Sequence, residues 1–217
     1  MHDVTTRTDI GAQQARRELV RRGLLLTWLT LVYNLGEAGL SLTASVMAGS
    51  VALMAFGVDS TIEMLASSAA LWRLYSDADQ VRRERSERVA LRIIGSSFLV
   101  LAAYVAYQSI RVLWQAAAPE ESTLGIVVAA AAVIVMPVLA RAKTRVALAM
   151  RSGALHAEAK QTMLCTYLSA ILLGGLVLNA TLGWWWADPL AALIMTPIIA
   201  HEGWDAVRGL PCPCCDH

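Results

Sequence analysis

Two carboxylates lie near the middle of an apolar stretch, residues 50–75, that is long enough to cross a bilayer. They are Asp59 and Glu63, and in a helix positions four apart lie one turn above each other on the same face. A charge at membrane depth costs at least about 2.5 kcal/mol on insertion scales, so such acids face a bundle interior and meet a cation or a proton. We interpret the pair as a candidate cation site. The alternative is a structural pair, neutralised by protonation or by a basic residue on a neighbouring helix.

Composition places the chain in a membrane. Of its 217 residues, 57% are hydrophobic and only 16% are charged, whereas soluble domains have about 25% charged residues. A spanning helix needs about 20 mostly apolar residues. Six segments are long enough, and the sequence therefore predicts an all-α membrane protein with six transmembrane helices. The segments lie near residues 23–47, 50–75, 90–115, 122–141, 153–179 and 185–206.

Basic residues predict the orientation. They collect before the first predicted helix and in the second and fourth connections, whereas the first, third and fifth connections have none. Under the positive-inside rule this pattern places both termini in the cytoplasm. The expected organisation is a cytoplasmic tail (1–22), a six-helix transmembrane domain (23–206) and a short Cys-rich cytoplasmic tail (207–217). The basic residues are Arg16, Arg17, Arg21, Arg22, Arg82, Arg83, Arg85, Arg88, Arg141, Lys143, Arg145 and Arg151.

The fifth predicted helix carries polar residues on one face. Glu158, Gln161, Thr162 and Cys165 follow one another at spacings of three and four, so they are placed to face the acid pair of the second helix. Carboxylate and amide oxygens with a thiolate suit zinc or a similar borderline cation, whereas sulfur is a poor ligand for calcium or magnesium. The alternative for Cys165 is a small buried apolar residue.

Other polar residues of the predicted spans have several interpretations. Glu37 shares a face with Asn34 on the first helix, and it can complete the site, relay protons or pair with a basic group. His156 and Lys160 are expected to face water rather than to bind metal. Asp188, which precedes a proline, is predicted to cap the sixth helix.

The C-terminal sequence LPCPCCDH concentrates thiols and an imidazole. Such a run can bind a soft metal, although its spacing matches no closed zinc-finger pattern and an inert tail is the alternative. The residues of this possible tail site are Cys212, Cys214, Cys215 and His217. The sequence contains no nucleophile–base constellation and no nucleotide fingerprint, so we expect neither an enzyme nor a nucleic-acid-binding protein.

Three segments resemble the second, fifth and sixth helices of the cation diffusion facilitator family: AGSVALMAFGVDSTIEMLASSAALWRLY, SGALHAEAKQT and GWWWADPLAALIMTPIIAHEGWDAV. The resemblance is closest to a compact branch of the transmembrane protein 163 type, which lacks the family's C-terminal cytoplasmic domain. It implies a homodimer in the cell (inner) membrane. It also implies export of zinc or a related divalent cation from the cytoplasm, in exchange for protons.

The resemblance also implies a four-ligand metal site between the second and fifth helices. The second-helix pair matches Asp59 and Glu63. The fifth-helix pattern Asp-x-x-(His or Asp)-x-x-x-Asp aligns with Glu158, Gln161 and Cys165, where an amide and a thiol depart from it. This departure keeps two further hypotheses open, namely a transporter of thiophilic metals (Cd, Hg, Cu) and a non-transporting metal-binding or regulatory membrane protein.

Overall fold

The part of the chain that the structure describes forms six α-helices, as the apolar segments predict. The computed structural model describes residues 2–48, 51–115 and 123–209, and its regular secondary structure within those ranges is entirely helical. Gly and Ser at positions 49 and 50 predict a tight turn, and Pro119 predicts a connection. Both of these positions and the cysteine tail lie outside the described residues. The helices are α1 (His2–Ala48), α2 (Val51–Tyr75), α3 (Gln80–Gln115), α4 (Thr123–Met150), α5 (Gly153–Leu182) and α6 (Ala187–Arg208).

Within the described residues, three helices are long and apolar enough to cross a membrane by length and composition alone, namely α3, α4 and the Gly153–Asn179 part of α5. The other three contain acidic residues within their apolar stretches, such as Glu37 in α1, Glu63 in α2 and Asp188 in α6.

Two predicted connections are largely helical. The second consists only of residues 76–79, because α3 begins at Gln80. The run RAKTRVALAMRSG, which lies between the fourth and fifth predicted segments and has some helical character in its sequence, is helical for most of its length because α4 continues to Met150. Arginine, lysine, alanine and leucine are good helix formers, so nothing in this run stops the helix. Residues 2–22, predicted as a tail, likewise belong to α1, and their cytoplasmic location stays a prediction.

The junction between α4 and α5 is only two residues long. Arg151 has a left-handed backbone (φ 51°), which ends α4. Ser152 then caps α5, because its hydroxyl oxygen accepts the Leu155 backbone N–H at 3.3 Å. The short junction makes α4 and α5 an antiparallel pair packed along their length.

Glycines allow the closest helix contacts. Helix α3 crosses α6 at Gly95 and Gly203: a Cβ on Gly95 would lie 2.7 Å from the Gly203 carbonyl oxygen, and one on Gly203 would lie 2.9 Å from the Gly95 oxygen. Backbones meet directly at this crossing, as small residues permit in lipid. Helices α5 and α6 approach in the same way where Gly175 packs against Asp188.

Asp188 does not cap α6, and the prediction that it does is wrong. The N-cap position belongs to Trp186, which makes no capping hydrogen bond through its side chain, and Asp188 lies inside the first turn. The close approach of Gly175 holds Asp188 against α5 instead. Nearby, the rings of Trp184 and Trp186 stack with centroids 5.4 Å apart. Tryptophans are typical of the membrane–water interface.

At the opposite, arginine-rich end, an ionic network joins four helices. The Asp77 carboxylate accepts hydrogen bonds from Arg16 of α1 (2.8 and 2.9 Å) and from Arg73 of α2 (2.8 Å). Arg73 also pairs with Glu87 of α3, which accepts the Ala154 backbone N–H at the start of α5 (2.6 Å). Burial acts to raise the pKa of Asp77, but the two guanidinium groups outweigh it and hold this pKa below its ordinary value.

Candidate cation site

The acid pair of α2 lies where α2 contacts α5. Glu63 is 1% exposed and Asp59 is partly buried. The Cys165 thiol is also buried and lies near the Asp59 carboxyl. The structure therefore brings an acid of α2 and the thiol of α5 close together. Their role as metal ligands stays a prediction.

Glu63 contacts α5 through Thr162. The threonine hydroxyl donates to Glu63 Oε1 at 2.6 Å, while Glu63 Oε2 has no hydrogen-bond partner within the described part of the chain. The same hydroxyl lies 3.3 Å from the backbone carbonyl oxygen of Glu158, one turn earlier in α5. Thr162 thus has two acceptors within reach, one on each helix of the site.

A buried lysine of α4 completes the arrangement. Lys143 Nζ donates to Glu158 Oε1 at 2.7 Å and to Thr162 Oγ1 at 2.6 Å, and the side chains of Lys143 and Glu158 are both 0% exposed. Glu158 Oε1 also accepts the Ser67 hydroxyl of α2 at 2.8 Å. A continuous hydrogen-bonded chain therefore runs from Glu63 through Thr162 and Lys143 to Glu158.

The assignment of Lys143 to a cytoplasmic connection is therefore wrong, and sequence reasoning missed this residue. A signal was present, because Lys143 continues the spacing of buried residues along α4. Positions separated by four and three residues form one helix face. The buried residues on that face are Met136, Ala140, Lys143, Ala147 and Met150.

The Gln161 side chain contacts α3 and not the acid pair of α2. Its side-chain oxygen accepts the Ser97 hydroxyl of α3 at 3.0 Å, and its Nε2 has no partner among the residues described. Both side chains are buried. In this conformation the amide oxygen serves the contact between α5 and α3 rather than the acid pair.

Glu37 approaches the site from α1. It is buried, and its Oε2 accepts the hydroxyl of Ser60, the residue after Asp59, at 2.8 Å. Asn34, one turn away, is also buried, and neither polar atom of its side chain has a partner in the described ranges. The polar face predicted for α1 is thus turned toward α2.

The remaining candidates lie away from this cluster. Lys160 forms an ion pair with Glu202 of α6 at 2.6 Å, at a half-exposed position. The tail residues Cys212, Cys214, Cys215 and His217 lie outside the described residues. Over residues 2–48, 51–115 and 123–209, no group of three or more His, Cys, Asp or Glu side chains is arranged to hold a metal ion. The donors are instead divided between the Asp59–Cys165 pair and the Glu63–Thr162–Lys143–Glu158 chain.

A bundle whose described helices include several that are long and apolar enough to cross a membrane is typical of a polytopic membrane protein. The family model for the cation efflux transmembrane domain matches residues 27–209. The chain belongs to this family and is a multi-pass integral membrane protein, which confirms the resemblance seen in its sequence.

Three curated relatives cover most of the chain. It is 30% identical over 199 residues to the cation-efflux pump FieF of Shewanella oneidensis (87% of this chain, 63% of the relative). It is 27% identical over 171 residues to an uncharacterized transporter of Synechocystis sp. (76% and 55%) and 26% identical over 184 residues to transmembrane protein 163 of Xenopus laevis (84% and 65%). The chain thus spans between 55% and 65% of the length of these relatives.

Proposed function

We propose that this protein exports a divalent metal cation, zinc in the first instance, from the cytoplasm through a site between α2 and α5. The observation that carries the proposal is the contact of the Asp59 and Glu63 pair with α5 in a chain of the cation efflux family. A carboxylate at membrane depth costs free energy unless a cation neutralises it. Asp59 and Glu63 lie on α2, which contacts α5.

Charge supports a divalent substrate. Glu158 is neutralised by Lys143, whereas Asp59 and Glu63 form no ion pair with any basic residue that the structure describes. The two unpaired carboxylates balance one doubly charged cation. The Cys165 thiol beside Asp59 adds a sulfur donor, which suits zinc better than magnesium or calcium.

Transport requires the donors to converge. Glu63 Oε2 and Glu158 Oε2 are buried without hydrogen-bond partners in the described region, so both oxygens are available to a cation that enters between α2 and α5. Metal binding requires deprotonated carboxylates and thiolate, so protons that return to these groups would weaken binding. On this basis we also propose proton exchange, with alternating access of the site to the two sides of the membrane.

The experiment is zinc uptake into proteoliposomes. Asp59→Asn with Glu63→Gln is expected to abolish uptake while the protein stays monodisperse. A matched control, Glu18→Gln with Glu84→Gln, removes two acids from exposed positions and should transport as the parent does. Uptake by the Asp59 and Glu63 variant at the parental rate would overturn the proposal.

A thiophilic substrate is the second candidate, and the proximity of Cys165 to Asp59 favours it. If cadmium, mercury or copper is the substrate and the tail delivers it, deletion of residues 211–217 should slow soft-metal uptake. Unchanged rates would remove the tail from the mechanism. A non-transporting regulatory protein would instead bind zinc with no flux across the liposome membrane.

The family resemblance supports three further proposals: a homodimer, location in the cell (inner) membrane, and no enzymatic activity. Light scattering of the detergent-solubilised protein measures the first. A mass of one protomer, after subtraction of the detergent, would contradict the dimer.

A further inference from the structure

Lys143 contributes a fixed positive charge inside the bundle. Its ammonium contacts Glu158 and Thr162, and Thr162 in turn contacts Glu63, so one bridging hydroxyl separates Lys143 from the acid pair. A lysine at membrane depth is costly, and such residues mark ion pathways or their counter-charges. An ordinary packing position on α4 would be filled by an apolar residue, as it is at Ala140 and Ala147.

We propose that Lys143 is a resident cation that sets the affinity and the release rate of the α2–α5 site for its transported metal. This inference rests on the proposed function. It goes beyond that function because it assigns to α4, which carries none of the predicted metal ligands, the residue that limits how tightly the metal is held.

The first argument is the balance of charge. Asp59, Glu63 and Glu158 bring three negative charges to the interface of α2 and α5, and Lys143 reduces the sum to two. A divalent cation then balances these four groups, and Glu37 of α1, which accepts a hydrogen bond from Ser60 of α2, is a further acid beside them. Without Lys143 the site would carry an excess negative charge, and the metal would be held more tightly and released more slowly.

The second argument is competition for the same atoms. The ammonium occupies Glu158 Oε1 and Thr162 Oγ1, which are oxygens that a metal between α2 and α5 would otherwise approach. A metal that recruits Glu158 must therefore displace Lys143, and Lys143 returns when the metal leaves. The lysine opposes binding and assists release through one set of contacts.

The experiment combines zinc transport kinetics with equilibrium zinc binding by calorimetry on the purified full chain. Lys143→Gln keeps hydrogen-bonding capacity but removes the charge. Zinc Kd and KM should both fall by roughly tenfold or more, because a unit charge a few ångströms from a divalent ion has a large effect in a protein interior. The maximal rate should fall as well, since release is slowed. Lys143→Arg restores the charge and should return both constants toward the parental values.

A double variant separates charge from structure. Lys143→Gln with Glu158→Gln removes one charge of each sign, so the net charge of the site is unchanged. The zinc Kd should therefore return to within about threefold of the parental value, which is a free-energy difference of less than about 1 kcal/mol. Lys160→Gln is the matched control, because Lys160 also pairs with a glutamate at 2.6 Å but on the outer side of α5. It should leave KM and Kd unchanged.

Two results would overturn the inference. One is a zinc Kd for Lys143→Gln within about twofold of the parent. The other is an equal loss of binding in the Lys143→Gln and double variants together with lowered melting temperatures, which would make the lysine purely structural. Failure of the proposed function is distinguishable, because it would appear as parental zinc uptake by the Asp59 and Glu63 variant, whatever Lys143 does.

Discussion

Lys143 of α4 and Glu158 of α5 form an ion pair of 2.7 Å whose two side chains are completely buried. Removal of one partner from a buried pair leaves the other charge uncompensated, which typically costs about 3 to 5 kcal/mol. Replacement of both partners by apolar residues of similar size is often neutral. The pair is therefore suited to a double-mutant cycle in which the free energies of unfolding measure the coupling of the two charges.

We expect Lys143→Met to lower the free energy of unfolding by about 3 kcal/mol or more, and Lys143→Met with Glu158→Leu to recover most of the loss. Thermal and denaturant unfolding in a fixed detergent measures both effects. Additive losses in the double variant would mean that the two side chains stabilise the bundle independently.

Adjacent glycines of α5 should respond differently to alanine. A Cβ on Gly175 would overlap the Cβ of Asp188 in α6, whereas a Cβ on Gly174 meets nothing within 4 Å. We expect Gly175→Ala to destabilise the fold by about 1 to 3 kcal/mol through overpacking. Gly174→Ala should be neutral, or stabilising by up to about 1 kcal/mol, because alanine is the better helix former. Equal melting temperatures for the two variants would contradict the contact between α5 and α6.

Cys165 should tune the choice of metal. Cys165→Ser replaces a soft sulfur donor with a hard oxygen donor beside Asp59, at nearly the same size. We expect the ratio of cadmium to zinc uptake to fall several-fold while zinc uptake is retained. Competition between the two metals in proteoliposomes measures this ratio. An unchanged ratio would indicate that the thiol fills space and does not contact the metal.

The ionic network at the arginine-rich end should make stability depend on pH. The pKa of Asp77 is lower in the folded protein than its unfolded value of about 3.9. Its stabilising contribution is therefore complete above the unfolded pKa and is lost as pH falls through the folded pKa.

We expect Asp77→Asn to lower the melting temperature at neutral pH and to reduce the loss of stability that the parent shows below about pH 4. Asp79→Asn is the control. Asp79 is an exposed acid whose side chain accepts the Val81 N–H at 3.0 Å, a role that asparagine also fills. Parallel pH profiles for the parent and Asp77→Asn would exclude Asp77 as the titrating group.

The number and type of helices could be predicted from the sequence because hydrophobic length is a local property. Six apolar segments correspond to six helices, and the spacing of Asp59 and Glu63 placed both on one helix. The ends of the helices were harder to predict from the sequence. The run RAKTRVALAMRSG combines the charge of a loop with the composition of a helix, and the composition decided the outcome.

The partners of the site could not be predicted in the same way, since they depend on which helices become neighbours. Lys143 and Glu158 come together because Arg151 and Ser152 turn the chain back on itself. The sequence places Gln161 on the same helix face as Cys165. Its side chain nevertheless accepts a hydrogen bond from Ser97, because α3 also packs against α5. Periodicity identifies a face of a helix but not what lies opposite.

The position of the Thr162 hydroxyl has a consequence for how a buried site can rearrange. A hydroxyl in hydrocarbon cannot abandon an acceptor without a penalty unless another acceptor is in reach. Rotation about its C–O bond would turn the Thr162 O–H from Glu63 Oε1 toward the backbone oxygen of Glu158, so that the same hydroxyl donates to a different acceptor. Glu63 would then be free to bind an incoming ion at little cost, and the reverse rotation would cover its carboxylate after the ion departs.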